Sequence, residues 1–235
     1  MKNSALRTVR SLASYNPIPT GCVLYLPLWH PSLSGSVIKS VDLYGHTGTI
    51  TGAIWTPYGH KFEGTDDKID MGASAYSMGV GLTGTFAVWI RSDSLVGYRV
   101  FMNDYDNGVP TDIGMTLRSN DNDTVTFYGY GTDGAVKWNA TSVNVLSIST
   151  WYLIEGVIDG TNAKLYVSVA TSPYNTTPWA TATQLAALGA STDNLHLGIR
   201  NVDSGFDFEG LISEAWVHTR ALSEEERIHR FNTTK

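Results

Sequence analysis

The chain has 235 residues, enough for one all-β domain with a full core, and only 16% are charged while 11% are aromatic. Sparse charge together with 23 glycines, 7 tryptophans and 12 tyrosines points to strands joined by tight turns. The net charge of −6 argues against a nucleic-acid groove or an anionic membrane surface as partner.

Residues 1–20 read as an arm preceding a domain at 21–235. Arg7 and Arg10 interrupt the stretch where a secretory signal needs an apolar core. The expectation is therefore a chain without a signal peptide, made in the cytoplasm. Leu6, Val9 and Leu12 recur at a spacing of three, one or two turns of weakly amphipathic helix, and the Asn-Pro-Ile-Pro at 16–19 forces extended backbone. An arm this short and polar makes no core, and ordering each residue costs about 1–2 kcal/mol. We therefore expect Leu6, Arg7, Val9, Arg10 and Leu12 to dock on a neighbouring subunit, in a homo-oligomer or a larger particle.

From Gly21 the pattern is strand, turn, strand. Cys22 is the single cysteine, so there is no internal disulfide framework, and it opens an apolar run as a small buried hydrophobe. Strands are expected at 22–28, 47–54, 61–71, 85–91, 98–102, 113–118, 124–130, 136–141, 151–158, 163–169, 195–200 and 206–218. The run at 85–91 is apolar on both faces, as in a central strand. Asp159-Gly160 marks a hairpin between two strands. Ser223-Glu224-Glu225-Glu226 is a capping box, placing one helix at about 224–231 and giving the acidic run a structural reason. No segment reaches the roughly 18 uninterrupted apolar residues of a membrane span. No βαβ alternation and no repeat is present.

Several segments resemble the laminin-G-like jelly rolls of the concanavalin A-like superfamily, in that family's order. They are Asp42-Leu43-Tyr44-Gly45-His46-Thr47-Gly48, with Tyr44 where the family has serine, Phe62-Glu63-Gly64-Thr65-Asp66-Asp67-Lys68-Ile69, and Phe86-Ala87-Val88-Trp89-Ile90. Trp151-Tyr152 followed by Asp159-Gly160, and Phe208-Glu209-Gly210-Leu211-Ile212-Ser213-Glu214 with Arg220-Ala221-Leu222-Ser223, complete the set. The resemblance implies an all-β, two-sheet antiparallel jelly-roll sandwich with one short C-terminal helix. It further implies binding of glycans, proteins or calcium, mostly without catalysis.

Fold does not decide function, so the residues are weighed separately. No Glu-x-Asp-x-x-Glu run is present. Glu155 and Asp159 share a strand face, but four residues span roughly 13 Å, beyond even the inverting separation of about 6.5–9.5 Å. They read as solvated positions near a turn. The histidines are scattered and no Gly-x-Ser-x-Gly occurs, so the expectation is that the chain is not an enzyme. Asp104, Asp106 and Asp203 sit in Asn/Asp/Gly loops that could hold calcium or simply turn the chain; no other cofactor is expected. Glu214, placed on one face with Ile212 and Trp216, needs a partner, in the N-terminal region or at a cation site. Tyr128 and Tyr130 share a polar, aromatic strand face with Thr124 and Thr126, suited to a glycan or buried beneath a loop. Trp138 on the next strand could complete that face, and Trp179 could mark a separate exposed contact. Two functions follow. One is a structural interaction module displayed in a larger assembly, such as a phage virion surface or decoration protein. The other is a glycan-binding lectin or carbohydrate-binding module, with a polysaccharide hydrolase or lyase behind both.

Overall fold

The computed structural model describes residues 16–73, 83–104, 114–131, 133, 135–184, 193–200 and 205–234. Its strands are β1 (Cys22–Pro27), β2 (Val37–Lys39), β3 (Thr47–Thr51), β4 (Ile54–Thr56), β5 (Gly59–Glu63), β6 (Lys68–Ala73), β7 (Thr83–Ser92) and β8 (Arg99–Asn103). They continue as β9 (Gly114–Ser119), β10 (Thr124–Tyr130), β11 (Val136–Val145), β12 (Trp151–Asp159), β13 (Asn162–Val169), β14 (Ala180–Thr183), β15 (Asn194–Leu197) and β16 (Glu209–His218). One α-helix, α1 (Glu224–Thr234), closes the chain.

The strands form two antiparallel sheets. Sheet I runs β14-β13-β12-β7-β16-β5-β4, and β1 pairs with β16 beyond the stretch that β5 occupies. Sheet II runs β11-β10-β9-β8-β15-β6-β3-β2. The expected two-sheet sandwich is therefore the observed one. Alternation along each strand builds the interior: Phe86, Val88 and Ile90 of sheet I meet Met115, Leu117, Val125 and Phe127 of sheet II. The segment read as one strand at 61–71 is two, β5 in sheet I and β6 in sheet II. Gly64 (φ +79°) and Asp66 (φ +52°) turn the chain between them, and Asp67 Oδ2 accepts from the Glu63 amide at 2.6 Å.

Strand β7 is apolar on both sides because both sides are covered. Its Ala87 and Trp89 belong to a second apolar cluster, between sheet I and α1. The capping box forms as its sequence requires: the Ser223 amide donates to Glu226 Oε2 at 2.9 Å, and the Glu226 amide to Ser223 Oγ at 3.3 Å. Arg220 adds two hydrogen bonds to the Glu226 carboxylate, at 2.7 and 2.5 Å. The helix lays Phe231 against Trp89 with ring centroids 5.6 Å apart, and Trp89 Nε1 donates to Thr234 Oγ1 at 2.8 Å.

Beneath the helix lies a buried polar network. Arg230 is fully buried, 4.8 Å over the Trp216 ring and 3.4 Å from Glu155. Glu155 also accepts from Tyr174 OH at 2.7 Å, and Tyr174 OH accepts from Arg227 Nη1 at 2.7 Å. The expectation that Glu155 is a solvated position is thus wrong: it is 0% exposed, and burial pushes its carboxyl pKa up. Asp159, by contrast, pairs with Lys164 at 2.7 Å and caps the hairpin through the Thr161 and Asn162 amides. Glu214 does not share a face with Ile212. A register shift between them sends Ile212 into the inter-sheet core, while Glu214 accepts from Trp29 Nε1 at 2.6 Å.

The chain entering the sandwich is fastened to its own domain. Ile18 is buried, its carbonyl receives His218 Nε2 at 3.0 Å, and the Thr20 carbonyl receives Arg220 Nε at 3.1 Å. The domain contacts therefore begin within the stretch read as an arm. Leu6, Arg7, Val9, Arg10 and Leu12 lie outside the described residues. Since His218 Nε2 faces a carbonyl and Nδ1 faces Arg230 Nη2 at 3.3 Å, the ring is neutral with its proton on Nε2. Burial, with Arg230 nearby, pushes its pKa down to about 3.

Two stability predictions follow from this layer. Glu155→Ala strands a buried guanidinium and should cost about 3–5 kcal/mol in denaturant unfolding, whereas Glu155→Leu combined with Arg230→Met should cost clearly less. A cost under 1 kcal/mol for the single variant would contradict the buried pair. As pH falls below 6.5 the unfolded chain protonates residue 218 and the folded chain does not until about 3, so stability drops across that window. His218→Gln should flatten the slope of stability against pH there; equal slopes would count against a buried neutral ring.

Candidate functional site

Sheet I is covered on one side by the core and on the other by α1. Sheet II has the core on one side, and its other side carries the polar strand face. Register assembles that face. Tyr128 of β10 lies opposite Thr116 of β9 and Asn139 of β11, and Thr126 lies opposite Arg118 and Thr141. Residues directly opposite one another point the same way, so these side chains stand together.

Here the surface forms a cleft of about 390 Å³, lined by Arg118, Asn120, Thr126, Tyr128, Tyr130, Val136, Asn139, Thr141 and Arg200. That volume falls in the range of about 300–1,000 Å³ common for small-ligand sites. Its floor is a connected array of hydroxyls and amides. Asn120 Nδ2 donates to Thr126 Oγ1 at 2.8 Å and to Thr124 Oγ1 at 2.9 Å. Thr126 and Thr141 share a hydrogen bond at 2.8 Å, and Thr141 Oγ1 donates to Asn139 Oδ1 at 2.8 Å.

Aromatic rings and guanidinium groups make the wall. Tyr128 and Tyr130 meet edge to face at 5.4 Å. Arg118 lies 5.0 Å from the Tyr128 ring centre and 4.6 Å from that of Tyr98. Arg200 lies 4.1 Å over Phe206, which stacks on Tyr98 at 5.3 Å. Tyr128 is 7% exposed with Arg118 close over its ring, while Tyr130 is half-buried at the rim.

Of the residues singled out from sequence, Tyr128 and Tyr130 reach this cleft and two others do not. Trp138 lies opposite Gly129, on the core side of the hairpin, and packs on Phe127 at 5.4 Å. Placing it on the tyrosine face was wrong by one residue of strand parity. Trp179 is half-buried against the inter-sheet core and is no exposed contact. Arg118, Asn120, Asn139, Thr141 and Arg200 were missed. The hairpin register of β10 and β11 was the signal that could have found Asn139 and Thr141.

Asp104 is buried, its Oδ1 accepts from the Met115 amide at 2.5 Å, and burial pushes its pKa up to about 7. This carboxyl serves the backbone at the start of β9. Asp106 and Asp203 lie outside the described residues. Among the described residues, no group of three His, Cys, Asp or Glu side chains could hold a metal ion.

A family model described as the concanavalin A-like lectin/glucanases superfamily matches residues 63–226. The chain belongs to this superfamily. No curated protein sequence matches it. Among solved structures, Trypanosoma rangeli sialidase in complex with a difluorinated KDN is similar at 15% identity and a TM-score of 0.65, over 90% of this chain and 32% of that one. Domain 4 of AbnA, a GH43 extracellular arabinanase from Geobacillus stearothermophilus, solved with arabinotriose, is similar at 14% identity and a TM-score of 0.60, over 91% of this chain and 98% of that one. The binding domain of botulinum neurotoxin serotype D is similar at 13% identity and a TM-score of 0.66, over 92% and 53% of the two chains. The chain thus spans about a third of the sialidase's length. At these identities the likeness is one of fold. The expectation that the chain is not an enzyme is corrected by these findings: a sialidase and a domain of an arabinanase share this superfamily's sandwich, so the fold gives no ground for that exclusion.

The placement of Trp138 is directly testable. A Cβ at Gly129 would sit 2.4 Å from the Trp138 ring. Gly129→Ala should therefore destabilise the domain by about 1–3 kcal/mol in denaturant unfolding. Unchanged stability would put Trp138 elsewhere.

Proposed function

We propose that this chain is a carbohydrate-binding domain that holds its ligand on the outer face of sheet II, in the cleft of Arg118, Tyr130, Asn139 and Thr141. The observation that carries this reading is the joining, in one cleft, of an aromatic rim with a floor of hydroxyl and amide groups. A sugar offers both an apolar C–H face and a ring of hydroxyls. A half-buried tyrosine suits the first, and side chains that both donate and accept suit the second. The AbnA domain, covered over 98% of its length and solved in complex with arabinotriose, supports the reading, since it has this fold. The alternative of a structural module on a virion surface rests on the fold, the expected lack of a signal peptide and the arm at residues 1–20, of which residues 1–15 lie outside the described residues.

The test is a glycan array followed by titration calorimetry on the best ligand. Tyr130→Ala and Asn139→Ala should each weaken binding about tenfold, the equivalent of about 1.4 kcal/mol. Tyr58→Ala, an exposed residue between β4 and β5 in sheet I, should leave it unchanged. Absence of binding to any glycan, or equal effects of all three variants, would overturn the proposal.

A further inference from the structure

We infer that the sugar this cleft selects is acidic, and that Arg118 receives its carboxylate. The inference rests on the carbohydrate reading above and adds the chemical class of the ligand.

Five other described arginines have polar partners. Arg91 pairs with Asp93 at 3.1 Å, Arg220 with Glu226, and Arg230 with Glu155. Arg99 donates to the Asp207 carbonyl at 2.7 Å, and Arg227 to Tyr174 OH. Arg118 has neither an ion pair nor a side-chain hydrogen bond with any described residue. Its guanidinium lies against ring faces, those of Tyr98, Tyr128 and Phe206.

Ring faces hold a guanidinium in position but leave its in-plane N–H donors unspent. A flexible lysine would lose entropy on binding; a guanidinium already clamped between rings loses little. The fork of N–H groups matches the two oxygens of a carboxylate, giving a bidentate, charge-assisted contact. Charge in the cleft points the same way. The chain carries −6 overall, yet the described residues lining the cleft include Arg118 and Arg200 and no aspartate or glutamate. The hydroxyl and amide floor beside Arg118 then serves the rest of the sugar ring, through Thr126, Asn139 and Thr141.

The experiment compares ligands before it compares proteins. A glycan array carries each uronic-acid oligosaccharide as its free acid and as its methyl ester, with neutral and sulfated oligosaccharides beside them. The full chain should bind free acids at least tenfold better than the matching esters, and the preference should shrink as sodium chloride is raised. Arg118→Met should abolish the preference while sparing whatever binding the ester retains, and Arg118→Lys should fall between. Arg118 also packs on Tyr98, but the acid-against-ester comparison needs no variant, so the test stands even if Arg118→Met unfolds. Equal binding of acid and ester, or binding of neutral glycans alone, overturns this inference and leaves the carbohydrate reading intact. Binding of sulfated glycans alone overturns the carboxylate assignment. Binding of no glycan at all overturns the carbohydrate reading and this inference with it.

Discussion

A β-strand has two faces, and a two-sheet sandwich has only one interior. Each sheet therefore has a second face that must be hidden or used. This chain hides one and leaves the other for use. The outer face of sheet I carries Ala87, Trp89, Leu153 and Trp216, and α1 closes over it through Phe231. The outer face of sheet II carries threonines, asparagines, tyrosines and two arginines, and it forms the cleft. The position of the proposed binding face follows from that asymmetry.

Covering sheet I with a polar helix required burying charge. The helix has arginine where its inner side meets the sheet, and Arg230 reaches Glu155 across β12. Buried pairs of this kind add little net stability over an apolar alternative, because desolvation offsets most of the attraction. Their geometric demands are strict, though, and here several of them converge. Arg230 also faces His218, His218 holds the Ile18 carbonyl, and Arg220 holds the Thr20 carbonyl. Helix, β16 and the entering chain are thereby tied to one register. Cys22 lies in the same layer, and burial pushes its thiol pKa up to about 11, which leaves it a packing residue.

Much of this layout could be read from local sequence. The doubly apolar run at 85–91 named a central strand covered on both sides. Asp159-Gly160 named a hairpin, and Gly160 has the positive φ (+94°) that such a turn demands. The capping box at 223–226 placed the helix start. What escaped the reading was non-local. The short strands β2, β4 and β14 carry no strong apolar run and are strands because a neighbour offers pairing. The register shifts at Gly129/Tyr130 and Ile212/Glu214 change which face a residue takes, and only the partner strand reveals them. For the same reason the tyrosines of the cleft were legible as a face, but Arg118 and Arg200, brought in from β9 and from the segment after β15, were not.

The central claim is that sheet II, and not the helix-covered sheet I, carries the ligand. Hydrogen–deuterium exchange on the full chain, with and without a saturating oligosaccharide selected from the array, tests it most directly. The account predicts slower exchange confined to peptides from 114–131 and 135–145, with peptides from α1 and β12 unchanged. Protection concentrated in 222–234 and 151–174, with the cleft strands unaffected, would contradict it.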